Sequence, residues 1–395
     1  MGMTRFAGFL FVGLIVMACG PRVAPTSQVS PAISPTSTPT QQFEPTPTPT
    51  QPTPSPASQP EPTPPPLVAS VNCSGGPGTA MVVIARAFVY DVADPVHPRL
   101  VCRGANTVIH LIDTNAIAYT TVAAGQVLIV RHDLITGSES RIGQLRADPS
   151  EVTTAWTSDG SLEVYPTAVP RANSRWLGQV HLWSNGGDHI LYEFDAGPGG
   201  FAGRWSAHFI LAFSPDHAYV AISDTNYSPQ NYEVRIFSVA DRSQKLSAGT
   251  QGLAPAGGTW VANDRFVWAA GSGSLMQWTP TGGATVLRPE RWFTPTSSSD
   301  GRWLAGTLLT DTSNPRALIV PVAGGGTFTP GLGSSPGFVT PTVVWYAQER
   351  PTDGGPDGTV HAFDVTNGTD RVVTFRSGET PTIAEGFTVC CLTSG

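Results

Sequence analysis

Hydrophobic and polar positions fall into three patterns along the chain. Phe6 to Ala18 is one apolar run, Pro21 to Pro66 holds almost nothing apolar, and from about Leu67 short apolar groups alternate with turn residues. The third pattern predicts many short strands joined by tight turns, not long amphipathic helices. An apolar strand followed by a short turn and a second strand recurs seven times, at Phe88–Val92, Leu128–Asp133, Val180–Trp183, Val234–Ser238, Leu275–Trp278, Leu318–Val322 and Val360–Asp364. Turn residues such as Thr136-Gly137, Asn185-Gly186-Gly187 and Asn367-Gly368 follow most of them and supply the positive φ of a tight hairpin. Anchored on Tyr90, His132, Trp183, Phe237, Trp278, Val320 and Phe363, the intervals are 42, 51, 54, 41, 42 and 43 residues. That is the length of a four-stranded propeller blade.

A second signal falls between these hairpins. Phe213-Ser214-Pro215-Asp216 opens it, with relatives at Trp156-Thr157-Ser158-Asp159-Gly160 and Ser298-Ser299-Asp300-Gly301 and looser copies at Asn263-Asp264 and Asp113-Thr114-Asn115. Asp or Asn makes the turn, and the alternating apolar positions after it make the next strand. This strand–turn–strand resembles the repeat of TolB-like, WD-repeat-like β-propellers. The resemblance implies the fold; those families share no single activity, so it transfers no site.

The chain opens with an outer hairpin at about 81–103 and ends with an inner pair, Thr382 to Ala384 and Phe387 to Leu392, across the turn Glu385-Gly386. The two ends can complete one blade and leave no unpaired inner edge. The expected fold is all-β: a seven-bladed β-propeller with a last blade completed by both chain ends, preceded by a disordered Pro/Thr-rich tether. Six or eight blades remain alternatives, because the intervals of 51 and 54 include insertions.

The leader supplies an address. Thirteen apolar residues are too few to span a bilayer, which needs roughly 20, but suit a signal peptide. The run ends in Val16-Met17-Ala18-Cys19-Gly20, which resembles a bacterial lipobox with Cys19 as the lipidated residue; Val16 and Met17 depart from its usual pattern. Residues 1–18 are thus expected to be a lipoprotein signal peptide, 19–66 a lipidated (palmitate-bearing) cysteine and linker, and 67–395 the propeller. In the linker 16 of 46 residues are Pro, which favours extended polyproline II with nothing to bury. The expected location is the extracytoplasmic face of the cell membrane.

Charge narrows the partners. Lys245 is the sole lysine, the net charge is −7, and no Lys/Arg run exists, which argues against nucleic acid. The expected partners are a protein or glycan at the cell surface, the membrane through the lipid only, and no second copy of the chain.

Candidate chemistry is sparse. Gly333-Ser334-Ser335-Pro336-Gly337 fits a nucleophile-elbow pattern with Asp357 and His361 following, but no helix comes after the serine, so an inter-blade loop is the plainer reading. His132, His181 and His361 recur at one place in their hairpins and read as structural. His110 and His208 are placed at innermost strands, where they could line the channel. Asp353 to Gly358 lacks the ligand ladder of a calcium loop. Asp224, Asn226, Tyr227 and Tyr232 read as an exposed insertion suited to a carbohydrate or protein contact. No cofactor motif, metal constellation or catalytic residue is assigned. Removing Cys19 leaves Cys73, Cys102, Cys390 and Cys391, an even number open to disulfides; ring closure favours a bond between an N-terminal cysteine, Cys73 first, and the C-terminal pair. A surface binding or scaffolding module is therefore placed ahead of two alternatives: an extracytoplasmic hydrolase or lyase working in the channel, and an envelope assembly factor.

Overall fold

The computed structural model describes residues 71–84, 87–105, 107–146, 155–171, 175–184, 186–198, 210–225, 231–251, 258–270, 273–309, 315–350, 356–381 and 389–390. The expected signal peptide, Cys19 and linker lie outside these. Among the described residues every regular element is a strand. Blade 1 contains β1 (Val71–Cys73), β2 (Met81–Ile84), β3 (Phe88–Asp91) and β4 (Arg99–Gly104). Blade 2 is β5 (Ile109–Asp113), β6 (Ala116–Ala123), β7 (Gln126–Asp133) and β8 (Glu139–Gln144). Blade 3 is β9 (Ala155–Trp156), β10 (Leu162–Pro170), β11 (Arg175–Ser184) and β12 (Gly187–Pro198), and blade 4 is β13 (Ile210–Phe213), β14 (Tyr219–Thr225), β15 (Asn231–Ser238) and β16 (Gln244–Gln251). Blade 5 is β17 (Gly258–Ala262), β18 (Arg265–Ala269), β19 (Leu275–Thr279) and β20 (Gly283–Arg288). Blade 6 has three strands, β21 (Trp292–Ser297), β22 (Trp303–Leu309) and β23 (Pro315–Pro321). Blade 7 is β24 (Gly333–Phe338), β25 (Val343–Glu349), β26 (Pro356–Asp364) and β27 (Thr369–Val372), after which β28 (Val389–Cys390) returns to blade 1.

All seven sheets are antiparallel, and blade 1 reads β28-β2-β3-β4-β1. Every anchor of the sequence repeat, from Tyr90 to Phe363, falls on the third strand of its blade. The five Asp-bearing turns all join first to second strands. Their geometry explains the sequence signal. In Ser214-Pro215-Asp216, Asp216 Oδ1 accepts from Ser214 Oγ at 2.7 Å and from Ala218 N at 3.1 Å, while Ser214 Oγ accepts from Tyr219 N at 2.9 Å. Ser298–Asp300 and Thr157–Asp159 repeat this wiring, around hydroxyl residues that are almost fully buried. Burial works against the ionised Asp159 and Asp300, yet the hydrogen bonds outweigh it and hold both carboxyls below their ordinary value.

Closure is visible in the packing. An open row of seven sheets has six interfaces, and a ring has seven. Seven separate apolar clusters are present among the described residues, one for each neighbouring pair of blades. The cluster that closes the ring joins Val82, Ile84, Phe88 and Tyr90 of blade 1 to Val343, Trp345 and Ala362 of blade 7. There Trp345 Nε1 donates to Pro95 O at 2.9 Å, and Thr374 N to Val96 O at 2.8 Å.

Two expectations need correction. The chain ends do share blade 1, but the N-terminal side supplies β2, β3 and β4, and the described C-terminal contribution is the single strand β28, pairing Ile84 with Val389 and Val83 with Cys390. The blade count is the expected seven, and the insertions inferred between blades 2 and 4 add none. Part of that length goes into β11 and β12, of 10 and 12 residues. The cysteine pairing differs too: Cys73 is bonded to Cys102. The sequence reading placed Cys102 on the outermost strand. Instead β1 adds outside β4, with Cys73 directly opposite Cys102. Ser74 N donates to Val101 O at 3.2 Å, so the cysteines form the adjacent non-hydrogen-bonded pair, where Cα atoms approach most closely. Cys390 on β28 lies three strands from Cys102, roughly 14 Å, beyond the span of a disulfide.

Candidate functional site

Cys19, Cys391, His208, Asn226 and Tyr227 lie outside the described residues. Asp224 and Tyr232 are not in a loop: strand pairing continues through Asp224↔Glu233 and Thr225↔Tyr232, past the point where polar composition suggested an insertion. His110 sits on the first strand of blade 2, half-buried, its ring centroid 4.1 Å from that of Trp156 in blade 3. Ser335 belongs to the first strand of blade 7, not to a loop, and stands at φ +51° in a bulge between Ser334 and Gly337. His361 lies on the third strand, with β25 between, and turns its Nδ1 to Asp370 at 3.2 Å. Asp357 Oδ1 accepts from Thr359 N at 2.7 Å. The elbow and its two followers therefore do not assemble.

The recurring histidines form a repeated frame, as their spacing suggested. In blade 7 Tyr346, directly opposite His361, stacks on it and donates through its hydroxyl to Asp370 Oδ2 at 2.7 Å. In blade 3 Tyr165 stacks on the opposite His181, whose Nδ1 lies 2.9 Å from Asp188 Oδ2, and the Tyr165 hydroxyl is bonded to the same carboxylate. Blade 2 has Tyr119, His132 and Glu139, with the histidine shifted by two residues. Burial first, and the carboxylate beside each hydroxyl second, push all three tyrosines well above the usual phenol range. Three strands are thereby cross-linked at one level of the sheet, a structural use of His, Tyr and acid.

Blade 3 adds a fourth member. Thr167 Oγ1 lies 2.9 Å from His181 Nε2. The corresponding residue of blade 7, two beyond Tyr346, is Gln348, and among the described residues nothing hydrogen-bonds His361 Nε2. Directly opposite Thr167 is Gln179, whose Nε2 donates to Glu193 Oε1 at 2.7 Å. Alternation along the strands places Thr167, Val169, Gln179 and His181 on the face of blade 3 that looks toward blade 2. Val122 looks back from blade 2, on the same side as Ala118, which packs against Trp156. Val122 is 52% exposed and Val169 43%. The cluster between these blades (Ala118, Val127, Ile129, Leu145, Trp156) is also the smallest of the seven. The rim of the blade 2–3 interface thus carries two exposed valines, one from each blade, with a hydroxyl–imidazole–carboxylate row on the blade 3 side. Sequence reading saw His181 in this row and missed Thr167, Gln179 and Asp188. The one usable signal was a tyrosine 16 residues before His181 and another 15 residues before His361. A separate cavity of about 370 Å³ opens at the outer edge of blade 1, where Arg103 is the one charged lining residue; it is remote from these groups.

No family model and no curated protein matches the chain. Solved structures do. A prolyl endopeptidase aligns with 12% identity and a TM-score of 0.46, over 74% of this chain and 49% of its own, so the chain spans about half the length of that enzyme. The C-terminal WD40 domain of Sif2 aligns with 15% identity and a TM-score of 0.42, over 75% of this chain and 74% of that one. TolB from Acinetobacter baumannii gives 15% and 0.38, over 73% and 77%. These likenesses concern the propeller fold and transfer no residue or activity.

Proposed function

We propose that this chain is a lipid-anchored, extracytoplasmic propeller that binds a protein or glycan ligand at the cell surface. The observation that carries the binding reading is the blade 2–3 rim. Two apolar side chains, Val122 and Val169, remain half exposed at the interface whose buried apolar cluster is the smallest in the ring. Beside them the Gln179–Glu193 pair offers polar contacts, the mix of apolar centre and polar edge that ligand surfaces share. The anchor reading is supported by the lipobox-like Val16 to Gly20 and by the Cys73–Cys102 disulfide, a bond typical of oxidising compartments.

A photo-crosslinking residue at Val122 in the full chain, expressed in its own cells, tests the rim. Adducts are expected there and not from the same residue at Val286, which is 59% exposed on the outer strand of blade 5. Equal adducts at both places, or none at Val122, would overturn the reading. Labelled palmitate should enter the wild type and not Cys19→Ser.

A further inference from the structure

We propose that Thr167 is a nucleophile for carboxylic esters presented at the blade 2–3 rim, activated by His181. The inference rests on the reading of that rim as the ligand surface. Its basis is the direction of the hydrogen bonds. Asp188 Oδ2 faces His181 Nδ1 at 2.9 Å, and an ionised carboxylate only accepts, so Nδ1 carries the proton of the neutral imidazole. Nε2 then presents a lone pair, and the group 2.9 Å away is the Thr167 hydroxyl, which must donate to it. This is the nucleophile–base–orienter relation of acyl-transfer enzymes, spread over three adjacent strands.

The frame alone does not require it. Among the described residues of blades 2 and 7 tyrosine, histidine and acid are tied together with no hydroxyl bonded to the imidazole's far nitrogen, so Thr167 is an addition to that frame. His181 is 9% exposed and Asp188 more open, which keeps the imidazole fixed while the hydroxyl lies half-buried near the rim. Gln179, opposite Thr167, directs one N–H to Glu193. Its second N–H is left to meet a carbonyl oxygen beside Thr167, as side-chain amides do in oxyanion holes. Val122 and Val169 suit a short apolar acyl group.

The step balances without any further reactant but water. Thr167 Oγ adds to the ester carbonyl carbon while its proton passes to His181 Nε2. The carbonyl C–O bond to the alcohol breaks, the alcohol leaves with the proton from Nε2, and an acyl ester remains on Thr167. Water then attacks this ester, gives a proton to Nε2, and releases the carboxylic acid as Thr167 recovers its proton. Asp188 and Glu193 are positioning residues here; Thr167, His181 and Gln179 are the catalytic ones.

p-Nitrophenyl butyrate with the full chain tests this. Acid-quenched samples should gain the mass of one butyryl group, mapping to the peptide of Thr167, with release of p-nitrophenol. Thr167→Ser should keep both signals, and Thr167→Val should lose both while its thermal melt stays that of the wild type. Gln179→Leu should slow release by about 100-fold. A folded wild type that gains no butyryl group, or a Thr167→Val variant that reacts at the wild-type rate, would overturn the proposal. Crosslinking at Val122 in a folded wild type that cleaves no ester would remove the chemistry and leave the binding reading standing. Cleavage at Thr167 without crosslinks would do the reverse.

Discussion

The interface between blades 7 and 1 and the interface between blades 2 and 3 are built to different standards. The first joins blade 7 to blade 1, and its buried cluster has twelve members, among them Tyr90 and Trp345 at 0% exposure. The second joins consecutive blades, and its cluster has five. The join between the consecutive blades 1 and 2 also has a cluster of twelve, so the small cluster is particular to blades 2 and 3 and not general to neighbours in the chain. The contrast gives the seam the larger share of buried apolar packing and leaves the blade 2–3 rim as the proposed ligand surface.

The largest expected effect breaks the seam. Trp345→Ala removes a fully buried ring and its bond to Pro95 O, and should cost about 3–5 kcal/mol. Trp156→Ala, at the thin interface, should fall at or below the lower end of that range. Urea melts of the two variants decide it, and a larger loss for Trp156→Ala would reverse the comparison. Next is the disulfide, whose cysteines stand 29 residues apart. A double serine variant should lose about 3.5 kcal/mol by chain entropy, and its calorimetric melt should shift while remaining a single transition.

The smallest effect concerns pH. Tyr90 at the seam is pushed up by burial and then by Glu379, and Tyr165 in blade 3 by burial and then by Asp188. A folded pKa raised above the unfolded value near 10 gives stability that is full below pH 10 and lost as pH rises beyond it. Absorbance at 295 nm should therefore show these phenols ionising only with unfolding. Early ionisation of Tyr165 alone would mean that its surroundings admit more water than the seam.

Much of the architecture was legible because propeller blades repeat local rules. Trp183, Phe237 and Trp278 mark third strands because each precedes a tight turn, and Asp159, Asp216 and Asp300 mark inner hairpins because their carboxylates cap backbone N–H groups two residues on. Pairings made at long range left no such trace. Nothing around Val71 announced a strand outside β4, so the partner of Cys73 was misplaced. Thr167 meets His181 across a strand pair 14 residues apart in sequence, and its neighbours in the chain, Pro166 and Ala168, carry no chemistry to draw attention. The local sequence reports turns; cross-strand partners follow only once register is known.

The bond between β1 and β4 also decides where a pull on the chain would be felt. Three paired residues, Val71 to Cys73, would unzip under slight tension if hydrogen bonds alone held them. With Cys73 tied to Cys102, a load applied at Val71 bypasses that ladder and arrives on β4. There it meets the Phe88↔Arg103 to Asp91↔Arg99 pairing with β3. A shear lock of this kind turns the weakest edge of the ring into its mechanical attachment point, and reduction would release the edge strand long before any blade began to open.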